Sequence, residues 1–109
     1  AQAVAVAPAG DGWLVGTERD ASVRRIGAPQ ETTEVRWIHR EPTRIVKAVH
    51  VAGDGAVAIY WGGTVQVLDA KGAVTAESRF AQDFSAAAVI GGRLCGVMAD
   101  GRVVTLALK

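Results

Sequence analysis

Short apolar runs separated by glycine-rich turns make up nearly all of this chain. The first run, Ala3-Val4-Ala5-Val6, meets a turn at Pro8-Ala9-Gly10-Asp11-Gly12 and resumes as Trp13-Leu14-Val15-Gly16. A polar turn at Glu18-Arg19-Asp20 then leads into Val23-Arg24-Arg25-Ile26. The same order returns with Val46 to Val51, a turn at Gly53-Asp54-Gly55, Val57 to Tyr60, a turn at Gly62-Gly63, and the alternating Val65-Gln66-Val67-Leu68. It returns once more as Ala86 to Ile90, Gly91-Gly92, Leu94 to Met98, Asp100-Gly101, and Val103 to Leu108. Asp-Gly and Gly-Gly pairs between short apolar runs signal hairpins, because the turns that match strand twist need positive φ. Glu34-Val35-Arg36-Trp37-Ile38 and Val74-Thr75-Ala76-Glu77 add strands between these groups. Only Phe84 to Val89 is alanine-rich enough to suggest a helix, and six residues are too few to sustain one. The pattern predicts an all-β chain.

The hairpin signature recurs as Asp20-Ala21-Ser22-Val23, Gly62-Gly63-Thr64-Val65 and Asp100-Gly101-Arg102-Val103, with its valines 42 and 38 residues apart. A period near 40 residues with strand-like content is the length of one propeller blade. From Trp37 to Asp69 the chain resembles a WD repeat. It carries Ile38-His39, then Val46-Lys47-Ala48-Val49-His50-Val51-Ala52-Gly53-Asp54-Gly55, then Val57 to Tyr60 and Gly63-Thr64-Val65-Gln66-Val67-Leu68-Asp69. The first unit joins through Val4 to Pro8 with Asp11-Gly12, and the third keeps Phe84 where the second has Val46. The resemblance implies β-propeller blades, four-stranded antiparallel sheets, in units of approximately 1–33, 34–73 and 74–109. That family ties its blades with a buried tetrad of His, Ser, Asp and Trp. Here the closing Trp is replaced by Leu68 and Ile26, His39 faces Gly62 where the Asp would stand, and Asp20 and Asp100 have no matching His. His39, Asp20 and Asp100 are therefore read as structural residues of degenerate repeats, and a buried hydrogen-bond network is expected to be missing.

Three strands in the first unit and four in each of the others make eleven. Closed propellers hold ~4–8 four-stranded blades, so this chain holds an incomplete ring. Its end faces would leave a large apolar patch in water, which soluble monomers rarely do. The expected partner is the remainder of the propeller, in the same or a cleaved chain, or else further copies of this chain. A start at Ala1 without methionine fits a chain that is processed or excised from something longer.

Composition narrows the function classes. The 109 residues are 50% hydrophobic and 21% charged, with a net charge of +1, which gives no broad attraction for nucleic acid or anionic lipid. Ala3 to Ala9 is far shorter than the ~20 residues a membrane helix needs, and no signal peptide is visible; an Ala-Gln start also suits signal cleavage, so the compartment stays open, with the cytoplasm favoured. His39, His50 and the single Cys95 lack the spacing of a zinc site. Ser22, Ser78 and Ser85 lack the context of a nucleophile elbow. Gly53-Asp54-Gly55 lacks the lysine and helix of a phosphate loop, and the acidic residues are too scattered for a calcium loop. No enzyme activity, cofactor or metal is expected.

What remains is surface. The WD resemblance gathers the second hairpins and the outer-to-inner loop on one rim, bringing together Arg19, Arg40, Arg44, Tyr60, Trp61 and Arg102. Trp, Tyr and Arg are the residues that dominate interface energetics. Trp61 equally suits packing between blades, the reading given to Trp13 and Trp37. The expected function is a non-enzymatic scaffold for protein or peptide ligands, or a sensing module, within a larger regulatory protein or complex. The alternative is a self-assembling propeller that binds glycans or small ligands between its blades. A third possibility is a non-catalytic blade set attached to an enzyme.

Overall fold

Glycine pairs set the hairpins, and the hairpins set the sheets. The computed structural model describes residues 3–9, 12–17, 22–26, 35–40 and 45–108, and these form eleven strands and no helix. The first sheet runs β1 (Ala3–Ala9), β2 (Gly12–Thr17), β3 (Ser22–Ile26) and β4 (Val35–Arg40). A second follows as β5 (Val46–Ala52), β6 (Gly55–Tyr60), β7 (Thr64–Leu68) and β8 (Val74–Arg79). The third has β9 (Phe84–Ile90), β10 (Arg93–Met98) and β11 (Val103–Ala107). Every neighbour in every sheet is antiparallel and adjacent in sequence. At the β9–β10 turn, Gly91 and Gly92 both take positive φ, 56° and 73°. Positive φ at both central residues is the two-residue hairpin geometry that agrees with strand twist.

The sheets break one strand later than the repeat units. β4 pairs with β3, Ser22 opposite Arg40, and so closes the first sheet instead of opening the second. β8 likewise pairs with β7. The grouping is four, four and three, where the sequence units of approximately 1–33, 34–73 and 74–109 group the strands as three, four and four. The repeat signature follows the order of strand types along the chain, whereas a sheet is defined by hydrogen-bonded neighbours, and these two phases differ by one strand.

The innermost strands meet one another. β5 packs against β1, β2 and β3 on one side and against β9 on the other. The second sheet thus lies between the other two, and all residues of β6 and β7 are buried. Alternation within β6 sorts its side chains. Ala56, Ala58 and Tyr60 join Val46, Val49, Leu68 and Val23 of the first sheet in one core cluster. Val57 and Ile59 join Val65 with Phe84, Leu94 and Met98 of the third sheet in another. A strand covered on both faces reads as an unbroken apolar run because neither set of alternate side chains meets water.

One irregularity recurs. β5 pairs Val46 with Tyr60 but Ala48 with Ile59, leaving Lys47 bulged. β9 pairs Phe84 with Met98 but Ala86 with Val97, leaving Ser85 bulged. β1 skips Val4 in the same way. Each inner strand therefore enters its sheet with one residue, then one bulge, and these registers align the three repeats residue by residue.

Candidate functional site

Three backbone segments meet at one end of the second and third sheets: the β6–β7 turn, the β8–β9 connection, and the β10–β11 turn. Gly63 shows why the first requires glycine. Its φ is +91°, and a Cβ there would lie 2.4 Å from the Gln82 carbonyl oxygen and 2.5 Å from that of Phe80. The Phe80 amide donates to the Gly63 carbonyl at 2.9 Å, so the connection is stitched to the turn. Asp83 then joins both hairpins. Its carboxylate accepts from the Gly62 amide, and its carbonyl accepts from the Ala99 amide at 2.9 Å. Gln82 accepts from the Asp100 amide at 2.9 Å.

Trp61 is the aromatic presented by this rim, 53% exposed. The Lys47 ammonium stands 4.2 Å from the ring centroid and also donates to the Phe84 carbonyl. The bulge makes this possible, because an unpaired residue is re-aimed out of the ladder. A cation over an indole face is attractive by ~0.5–2 kcal/mol depending on desolvation, and here it holds one face of the indole while much of the side chain stays in solvent. Nothing in the sequence pattern marked Lys47, since a bulge is not visible in apolar alternation.

Arg102 is exposed on the same rim and paired, its Nε donating to Asp100 Oδ2 at 2.8 Å. Asp100 Oδ1 accepts from the Arg102 amide at 3.1 Å. That amide hydrogen bond, with the guanidinium beside it, holds the Asp100 carboxyl below the usual carboxylate range. Asp100 thus braces its own hairpin and needs no histidine. Asp69 does the same for the β7–β8 turn, accepting from the Ala73 and Lys71 amides at 3.0 and 2.9 Å, which lowers its pKa too.

Tyr60 is not on the rim surface. As the last residue of β6 it shares the parity of Ala56 and Ala58, and its fully buried ring faces the first sheet. Its hydroxyl donates to Gln66 Oε1 at 2.9 Å. The same oxygen lies 3.0 Å from His39 Nε2, which reaches across from β4 of the first sheet. Gln66 Nε2 donates to Glu77 Oε1 at 2.9 Å, and Glu77 Oε2 takes Arg79 Nε at 3.0 Å. The Tyr60 hydroxyl and the His39 ring N–H converge on one amide oxygen, which leaves the amide nitrogen to face the carboxylate. A polar network therefore exists where none was expected. It differs from the family tetrad in composition and in running between two sheets instead of within one. Arg19, Arg44 and Asp20 lie outside the described residues, as does the side chain of Arg40, whose backbone ends β4.

His50 projects on the face of β5 that carries Ala48 and Ala52, toward the third sheet. Its buried Nε2 has no hydrogen-bond partner among the described residues, and burial lowers its pKa. The described residues contain no group of three or more His, Cys, Asp or Glu placed to hold a metal. The crevice between the second and third sheets, lined by Lys47, Ile59, Phe84 and Ala87, measures about 80 Å³, against roughly 300–1,000 Å³ for small-molecule sites.

No protein-family model matches the chain, and no curated protein does. Solved structures do match, among them BamB from Moraxella catarrhalis, with a TM-score of 0.72 and 23% identity over 92% of this chain. This chain spans 29% of that structure's length. The likeness shows the fold: three antiparallel sheets of an incomplete β-propeller.

Proposed function

We propose that this chain is a non-enzymatic segment of a larger β-propeller whose Trp61 rim engages a protein or peptide ligand. The observation that carries this reading is the Trp61 indole itself. It is more than half exposed, yet it stands on a turn fixed by Gly63, braced by Asp83 and backed by the Lys47 ammonium. A large apolar side chain held in one place and left in water loses little conformational entropy on binding, and such residues make interface hot spots. Lys47 places one positive charge against the indole, which favours ligands carrying a carboxylate next to an apolar anchor. The WD character of the repeats and the membership of a regulatory complex belong to this proposal as well.

Selection from a displayed peptide library against the purified chain tests the reading. Selected peptides should lose at least about tenfold in affinity with Trp61→Ala, the loss expected of a hot-spot truncation. Peptides that bind wild type and Trp61→Ala equally would remove the rim from consideration. Arg44→Ala provides a parallel variant from the loop that the sequence places on the same rim.

A further inference from the structure

The crevice between the second and third sheets grades from a dry floor to a polar mouth. Its floor is Ile59 and Phe84, 1% and 2% exposed, and Ala48 and Ala87 form its walls. At the mouth stand the half-buried Lys47 and the exposed Ser85, the residues that bulge from β5 and β9. Bulges at one register in two neighbouring strands thus bring an ammonium and a hydroxyl to a single opening. A water needs roughly 10–15 Å³ of such space, so the 80 Å³ here holds a group of several heavy atoms, about one aliphatic side chain.

Lys47 is committed on two sides and open on a third. An ammonium carries three N–H donors; one is on the Phe84 carbonyl and the indole of Trp61 covers another direction. Asp83 is taken by the Gly62 amide and Arg102 by Asp100. Lys47 is therefore a rim cation with no carboxylate paired to it among the described residues, and the Ser85 hydroxyl makes no side-chain hydrogen bond among them. Outward from the mouth the rim turns apolar again. The Trp61 amide donates to the Ile45 carbonyl at 2.9 Å, which sets the two residues side by side, 53% and 49% exposed.

An occupant has to offer an apolar group inward, a negative charge at the mouth and more apolar surface outward. An acidic side chain enters carboxylate first and would set its charge against Ile59 and Phe84, a floor with no polar side chain. The last residue of a polypeptide has the right order, because its side chain and its α-carboxylate leave the same carbon in different directions. We propose that this crevice receives the free C-terminus of a protein or peptide ending in a small aliphatic residue. The final side chain rests on Ile59 and Phe84, and the carboxylate accepts from Lys47 Nζ and Ser85 Oγ. The residues before it cross Ile45 and Trp61. Capture of a terminal carboxylate is a recurring mode of peptide recognition, and the proposal rests on the Trp61 reading only for those preceding residues.

The probe is a library of synthetic hexapeptides, labelled with fluorescein at the N-terminus, with valine or leucine last and the other positions varied. Each binder is remade with a C-terminal amide and titrated by fluorescence anisotropy. Amidation should weaken binding to the wild-type chain about tenfold or more, the loss of a charge-assisted hydrogen bond. Against Lys47→Met, which keeps the stem and drops the charge, amidation should cost less than about twofold. Ser85→Ala should reduce the amidation effect about threefold. Ser85 is exposed and outside the ladder, so this second variant reads the same site without touching the support of the indole. The proposal is overturned by a library with no binders, by binders indifferent to amidation, or by an amidation cost that is the same in wild type and both variants. Binders that survive amidation but weaken when an internal Glu becomes Gln would assign Lys47 to an acidic side chain and overturn it too. Trp61→Ala separates the two readings. Amidation sensitivity with no loss of affinity in Trp61→Ala keeps the crevice and removes the rim, whereas dependence on Trp61 without amidation sensitivity does the reverse.

Discussion

The two seams of this molecule both carry an apolar cluster, and the first adds a polar chain to it. Between the first and second sheets, Tyr60 and His39 converge on Gln66, which passes the connection on to Glu77 and Arg79. Between the second and third, Phe84, Leu94 and Met98 close on Val57, Ile59 and Val65. The position of Gln66 in β7 is held by Val104 in β11, and that of Tyr60 by Met98. Sheet stacking in this fold therefore tolerates either a polar chain or an oily contact at the same place. The difference lies in what each specifies: hydrogen bonds fix one relative position, whereas apolar contact rewards any arrangement that buries similar area.

The largest test of this contrast is Phe84→Ala. The ring is buried, meets the Phe80 ring at a tilt of 46° with 5.2 Å between centroids, and lies against Gly96. Its removal should lower unfolding free energy by about 3–5 kcal/mol, measured by urea titration. A loss under about 1 kcal/mol would mean that the second seam collapses around the gap. Next in size is Gln66→Leu, which takes an acceptor from Tyr60 and His39 and a donor from Glu77; about 1–3 kcal/mol is expected. Tyr60→Phe should cost less, about 1 kcal/mol. If the seams are independent, Phe84→Ala and Gln66→Leu should add to within about 0.5 kcal/mol, and a larger coupling would show that β5, which touches both, transmits between them.

The smallest effect is one of pH. His50 sits on the apolar seam, and burial makes it less basic in the folded chain than its ordinary 6.5. As pH falls through 6.5 the unfolded chain takes up the proton first, so stability should decline below about that pH until the folded chain is protonated as well. His50→Leu should flatten that decline, with the urea midpoint as the readout. Asp69 and Asp100 act in a separate window. Their lowered pKa values give stability that is present above the ordinary carboxylate range and lost below about pH 4.

Strands and turns were legible because they are local. Gly91-Gly92 and Asp100-Gly101 announce their hairpins in two residues each, and the spacing of Val23, Val65 and Val103 gave positions that the registers later equated. The all-β class followed from these. Partnership between distant residues did not. His39 and Gln66 are 27 positions apart and on different sheets, so a pattern borrowed from within one repeat led to the absence of a network instead. Parity decided the rim. Tyr60 and Trp61 are adjacent in sequence, but Tyr60 ends a strand with its side chain inward while Trp61 begins the turn. Lys47 escaped notice because its role depends on a bulge, and Asp83 because its carboxylate caps a turn made 21 residues earlier.

The repeated bulge has a consequence for how such a chain can diversify. Val4, Lys47 and Ser85 each stand outside the ladder at the entrance to an inner strand. A residue that pairs with nothing can be exchanged without shifting the register of its neighbours. Each repeat thereby carries one position outside the backbone ladder, 43 and then 38 residues apart along the chain. In the second repeat that freedom is taken by a lysine that supports an indole, and in the third by an exposed serine. Side-chain chemistry can change at these places, one residue per repeat, while the pairing of the strands stays the same.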